Sequence, residues 1–381
     1  MSHVSSHPAH GPSSLRTVQV LGGGSAGSSA HVRSLAAGLV ARGLRVTVCA
    51  PAETEHAYGF GAVGAHHLPV PRSSDPAAVA ALRVACADAD LVHAHGLNAA
   101  LRASLALSGR RVPLVVTWHT RPHAEGARAR LLKVLERRVA RAASVVLGTS
   151  SELVDRARTR GARDARLAAI SFPPPPRPAD GEEDDAERAR LKTRAELGAV
   201  DRPLLMAVGS LRRERGHDLL LDAAHAWLAL DPLPLLVIAG EGPGRAALQR
   251  RIEREGLPVR LVGRRDDVAE LLPAADVALL PGSPESRPLL AQEALHSRVP
   301  LVAAHTGGIP ELVGEAAELV PPGDAPALAR AVVRLLGDPE RRAELRELGA
   351  VQAASWPSED ATVAQVLSVY DELTGRTGSA G

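Results

Sequence analysis

Glu285 and Glu293 are separated by seven residues in a segment that follows an apolar run ending at Leu280. Pro288 lies between them, and a proline is tolerated in the first turn of a helix because its missing N–H would have no intrahelical partner there. Ser286 is placed to cap that helix. The amides that follow are then available to a phosphate, and the helix dipole adds to the attraction. Glu293, five residues past Pro288, stands ~7 Å up the axis, a reach that suits ribose hydroxyls when a diphosphate sits at the first turn. Glu285 stays in the loop, where it can meet a sugar.

A second candidate lies near the N-terminus, where Gly22, Gly24 and Gly27 follow an apolar run and precede a helical pattern. Glycines at this spacing let backbone amides approach a diphosphate. A dinucleotide would also want an acidic residue at the end of the next strand, to hold the adenosine ribose. That strand ends Val48-Cys49-Ala50-Pro51, with Glu53 and Glu55 beyond the proline. The nicotinamide reading is therefore disfavoured, and a tight turn with no ligand is the plainer alternative.

Both candidates need strands to position them. From Thr17 the chain alternates apolar runs (18–21, 46–50, 91–93, 114–117, 144–148) with helix-period stretches, the first over 29–42, which is the pattern of a parallel sheet. Pro173 to Pro176 and the acidic run Glu182 to Asp185 interrupt it and read as a linker. The alternation then restarts at 204–208, 235–239, 259–262, 277–280 and 301–304. The expected organisation is a tail over 1–14, an α/β domain over 15–172, a linker and lead-in helix over 173–200, a second α/β domain over 201–355 and a terminal helix over 356–376. Two such halves place a cleft between them, where ligands usually bind.

Composition narrows the function. At 381 residues the chain suits two domains. A net charge of +2 and 2% aromatic residues argue against nucleic acid as a partner. Cys49 and Cys86 lie far apart with no metal-like cluster, so they read as core residues in a reducing compartment. The first residues lack the apolar stretch of a secretory signal and no segment matches a membrane span, which makes a cytoplasmic protein the expectation. Lys133 and Lys192 are the only lysines, so arginine carries nearly all the positive charge. Residues 102–141 hold ten basic side chains against Glu125 and Glu136. Arg128, Arg130, Lys133, Arg137, Arg138 and Arg141 there alternate with apolar residues as an amphipathic helix. A solvated face is the ordinary explanation of such a helix; attachment to anionic lipid is the functional one.

The paired glutamates, together with further motifs, resemble the retaining glycosyltransferases of family 4, whose signature is Glu, seven residues, Glu within a GT-B fold of two Rossmann-like, doubly wound parallel-sheet domains facing a cleft. Gly22-Gly23-Gly24 with His31 and Val32, Arg42-Gly43, Val92-His93-Ala94-His95-Gly96 and Thr117-Trp118-His119 resemble the first domain of that family. Ala239-Gly240-Glu241-Gly242-Pro243, Ala275-Asp276 and Gly307-Gly308-Ile309-Pro310-Glu311 resemble the second. The resemblance spans roughly residues 17–370. It implies transfer of a sugar from a nucleotide-diphosphate sugar, with no metal or other cofactor, to a small-molecule or lipid-linked hydroxyl such as inositol phosphate. Glu293 would hold the donor ribose and Glu285 the sugar ring, with His119 near the reacting sugar. The backbone at Gly23, Gly24, Leu289 and Leu290 would hold the phosphates, joined by Gly263 and Arg264 on the donor side. The family follows the first strand of the second domain with an arginine and then a lysine against the diphosphate; here Ser210 takes the first position and Arg215 the second. Each such cation matters by a few kcal/mol on charge that grows in the transition state, and Arg212 or Arg213 could replace the one lost. A nucleotide-sugar 2-epimerase of the same fold and a non-catalytic sugar-nucleotide-binding protein are the alternatives.

Overall fold

The structure, a computed structural model, describes residues 14–22, 26–71, 76–121, 126–171, 183–282 and 285–375. Gly23, Gly24, residues 1–13 of the expected tail and residues 173–182 of the expected linker lie outside the described residues. The first domain contains strands β1 (Arg16–Leu21), β2 (Arg45–Ala50), β3 (His66–Pro69), β4 (Leu91–His95), β5 (Leu114–Trp118), β6 (Val145–Gly148) and β7 (Ala165–Leu167). The second contains β8 (Leu204–Val208), β9 (Leu235–Ala239), β10 (Val259–Gly263), β11 (Val277–Leu280), β12 (Leu301–Ala304) and β13 (Ala317–Val320). All pair in parallel, in the orders β3-β2-β1-β4-β5-β6-β7 and β10-β9-β8-β11-β12-β13. The chain is thus two Rossmann-like α/β domains.

Helices cover both faces, so central strands such as β4, β5, β9 and β11 are buried along their whole length and read as unbroken apolar runs rather than alternating ones. The strands missing from the sequence reading are β3, β7 and β13, each at a sheet edge and each partly exposed or polar. Cys49 and Cys86 are buried and unbonded, and burial raises the Cys49 thiol to about 12 and the Cys86 thiol to about 11.

The helix Glu359–Thr374, capped by Ser358 Oγ accepting from Ala361 N–H, crosses from the second domain to the first. Its Val363, Val366, Val369 and Tyr370 join one core with Leu21, Leu91, Val115 and Leu147 and with Leu35 and Leu39 of the helix Ala26–Ala41. The two helices touch at Gly38, where an added Cβ would meet Val363 Cγ2 at 2.4 Å.

Beneath that helix the sheet carries polar side chains at alternating positions. Gln19, His93, His95, Thr117 and His119 lie on adjacent strands or their ends and are all buried. His95 Nε2 lies 3.0 Å from Gln19 Oε1, Gln19 Nε2 donates to Tyr370 Oη at 2.9 Å, and His93 lies between Tyr370 Oη (2.8 Å) and Thr117 Oγ1 (2.7 Å). His95 Nδ1 meets His119 Nε2 at 3.3 Å, and the His31 ring stands edge-on to both. Burial holds these imidazoles neutral: His31 falls to about 4, His93 to about 3, and His95 and His119 well below the usual value.

Two outcomes follow from this packing. Gly38→Ala should destabilise the protein by about 1–3 kcal/mol in urea, since the β-branched Val363 cannot turn aside. The same change made on Val363→Ala should cost nothing, and equal effects in both backgrounds would disprove the contact. The unfolded chain protonates its histidines near pH 6.5 while the folded one does not, so the histidine contribution to stability is complete above that pH and falls as pH drops below it, against an opposite and smaller contribution from Glu293. The loss is about 1.4 kcal/mol per pH unit for each histidine, roughly 5 for the four. A melting temperature level from pH 6.5 to 5 would exclude the buried neutral layer.

Candidate active site

In open parallel sheets ligands bind beyond the carboxyl ends of the strands where the strand order reverses. Those points here are the ends of β1 and β4 in the first domain and of β8 and β11 in the second. The structure brings the two domains together beside them. Thr120, just past β5, forms an antiparallel bridge with Glu285, past β11, and Ser286 N–H donates to the His119 carbonyl at 3.2 Å. Gly308 makes the approach possible, because a Cβ there would meet Ser150 Cβ and Ser286 O at 2.7 Å. Beside it the Glu311 carboxylate accepts from Ser151 N–H at 2.9 Å, at the positive end of the helix Ser151–Thr159.

Arg215 and Glu285 form an ion pair at 2.9 Å, and Glu285 and His119 are each only 9% exposed. Arg215 closes the short turn Arg213–Arg215, and Gly216, at φ 73°, reverses the chain into the helix His217–Trp227 against the backbone of Pro281. Sequence-predicted Glu285, His119 and Arg215 therefore come from three separate loops to one place. The Ser210 carbonyl accepts from Arg212 N–H at 2.7 Å and from His217 Nε2 at 3.2 Å. The side chains of Arg212 and Arg213 are exposed.

The expectation that Ser286 caps the next helix is corrected. The helix is Leu289–His296, and Pro288 stands at its N-cap with ψ 134° and no side-chain cap. Ser286 is occupied in the contact with His119 and Gly308. The first intrahelical bond runs from Gln292 N–H to the Pro288 carbonyl at 3.3 Å, so the amides of Leu289, Leu290 and Ala291 lie in the open first turn. The side chains of Leu289 and Leu290 pack into the cores of the first and second domains respectively, leaving their backbone as the group a ligand can use. Glu293, in the same helix, is partly buried, and its carboxylate meets no hydrogen-bond partner among the described residues. Burial raises it to about 7. Gly263 ends β10, the outer strand of the second sheet, and exposed Arg264, just beyond it, pairs with Asp266 at 3.0 Å.

Neither of two surface cavities, one beside Arg33, Tyr58 and Asp360 and one beside Gln292, His296 and Trp356, contains Glu285, Glu293, Arg215 or His119. Sequence reasoning gave no role to Gln19, His95 or Tyr370, which support His119. Its available signal was the His-Ala-His alternation of β4, which puts both imidazoles on one face of a strand.

Residues 189–351 match the family model described as "Glycosyl transferases group 1", and residues 26–175 match "Glycosyl transferase 4-like domain". The chain is 30% identical over 281 residues to the alpha-D-kanosaminyltransferase of Streptomyces kanamyceticus, covering 69% of this chain and 71% of that one. It is 31% identical over 319 residues to the D-inositol 3-phosphate glycosyltransferase of Xylanimonas cellulosilytica, covering 75% and 73%. In fold it is similar to Alr3699/HepE of Anabaena, a structure described in complex with UDP-glucose, with TM-score 0.77 and 19% identity over 94% of this chain and all of that one. The epimerase alternative is set aside: the chain belongs to the group 1 glycosyl transferases with a family-4-like N-terminal domain, and it is a glycosyltransferase of the GT-B fold.

Proposed function

We propose that the protein transfers a sugar, with retention of configuration, from a nucleoside-diphosphate sugar to a hydroxyl acceptor. The observation that supports this most is Glu293, a partly buried carboxylate without a hydrogen-bond partner among the described residues, in a helix whose first turn offers the Leu289 and Leu290 amides. A ribose diol would donate to Glu293 while the phosphates meet those amides and Gly23 and Gly24. Arg215 supplies charge against the diphosphate as it leaves. Glu285, paired with Arg215, faces the transferred sugar with His119, and the acceptor oxygen bonds the anomeric carbon on the face the diphosphate vacates. No metal is called on, since the cation and the amides carry the neutralisation. The Gly263 and Arg264 end of β10 belongs, in this reading, to the outer wall of the donor site. D-inositol 3-phosphate and sugar hydroxyls of the kind named for its relatives are the acceptor classes to try first.

The acceptor side bears on the basic helix Gly126–Ala142. Leu131 and Val134 are 60% and 59% exposed, among exposed Arg128, Arg130, Lys133, Arg137 and Arg138. We propose that this face meets anionic lipid, which suits a lipid-linked acceptor. No helix among the described residues is long and apolar enough to cross a membrane.

Diol donation favours the charged carboxylate, so nucleotide binding should pull Glu293 down from about 7. Calorimetry with UDP and GDP at pH 7 in two buffers of different ionisation enthalpy should show release of about half a proton. Glu293→Gln should abolish that release and weaken binding about 10–100-fold. Unchanged affinity in the variant would refute the ribose role. In sedimentation at low salt, vesicles containing phosphatidylserine should carry the protein down. Leu131→Ser with Arg130→Ser should cut the bound fraction several-fold, each basic residue near such a surface contributing ~1 kcal/mol; no sedimentation of the parent protein would end the lipid proposal.

A further inference from the structure

With the Gln19 amide oxygen towards His95, the direction of the buried hydrogen bonds beneath His119 follows from valence. An amide oxygen only accepts, so the 3.0 Å contact between Gln19 Oε1 and His95 Nε2 requires His95 to carry its proton on Nε2. A neutral imidazole has one N–H, so His95 Nδ1 accepts, and its partner at 3.3 Å, His119 Nε2, must donate. At the other end Tyr370 Oη accepts from the Gln19 amide at 2.9 Å and spends its one proton on His93 Nδ1 at 2.8 Å. His93 Nε2 then donates to Thr117 Oγ1 at 2.7 Å. All five bonds run the same way, from the site towards the interior. Turning the Gln19 amide over would reverse every one of them.

His119 lies at the domain contact, with its carbonyl on Ser286 N–H. Its Nε2 is used by His95, and Nδ1 has no hydrogen-bond partner among the described residues. We propose that Gln19, held by Tyr370 on the helix Glu359–Thr374 with its amide oxygen towards His95, fixes His119 as the Nε2–H tautomer and so presents an unprotonated Nδ1 that accepts from a hydroxyl of the bound sugar. Gln19, His95 and Tyr370 are positioning residues; none of them touches the ligand. The proposal rests on the reading that His119 faces the transferred sugar. The low proton affinity of all these imidazoles keeps the chain of bonds intact at neutral pH.

Two-dimensional long-range 1H–15N spectra of the full chain, labelled at histidine and recorded at pH 7.5, read the tautomers directly. His119 and His95 should both be Nε2–H with Nδ1 unprotonated; an Nδ1–H signal for His119 would overturn the proposal. Tyr370→Phe keeps the packing but frees the amide, and His119 should lose its single tautomer. Gln19→Met, which removes both amide bonds, provides the same measurement if the tyrosine variant does not fold. Unchanged His119 signals in a folded variant would also overturn the assignment. In binding, either variant should weaken UDP-glucose or GDP-mannose about tenfold while leaving UDP and GDP within twofold, a split that a general loss of packing would not give. A protein with the expected tautomers that binds no nucleotide sugar would overturn the donor reading and leave the tautomer assignment standing.

Discussion

The site exists because two loops from different sheets pair with each other. Thr120 against Glu285 and Ser286 N–H on the His119 carbonyl are backbone contacts, so they depend on chain geometry more than on side-chain identity. Their closeness depends on a residue without a side chain at Gly308 and on Glu311 at a helix N-terminus across the contact. Arg215, on a third loop, completes the group through Glu285. A shift of either domain would part the imidazole from the carboxylate and the cation, which both belong to the second domain.

Desolvation gives the two glutamates different characters. Glu285 is buried but compensated by a guanidinium. Glu293 is partly withdrawn from water with no partner among the described residues, and its raised proton affinity is the mark of that imbalance. A carboxylate in this condition is costly to maintain and gains most from donors brought by a ligand. The histidines on the other side of the contact are buried as neutral groups, so they add hydrogen bonds without adding charge.

Much of the fold was legible because doubly covered strands must be apolar throughout: β8, β9, β11 and β12 fall where the hydrophobic runs placed them. The edges were not, since β3 contains His66 and His67 and β13 contains Glu318, and an edge strand can expose what a central one cannot. At the site, Glu285 and Glu293 were readable as a spaced motif, and His119 and Arg215 only through the family resemblance. The cap at Ser286 was misread because a local propensity lost to a contact with a distant loop. Gln19 and Tyr370 were unreadable for a related reason. They are 351 residues apart and meet only because the helix Glu359–Thr374 returns to the first sheet, and no local pattern encodes a return of that length.

That return also sets an order on synthesis. The face of the first sheet around Leu21, Leu91, Val115 and Leu147 is finished by Val363, Val366, Val369 and Tyr370, which leave the ribosome only after the entire second domain has been made. Domains generally fold as units in the order they emerge, but here the earlier one must wait with an apolar and histidine-bearing face uncovered while the later one completes its own core. The nascent first domain is therefore expected to expose more apolar surface than the finished one, and the helix that closes it also ties the completion of folding to the assembly of the site.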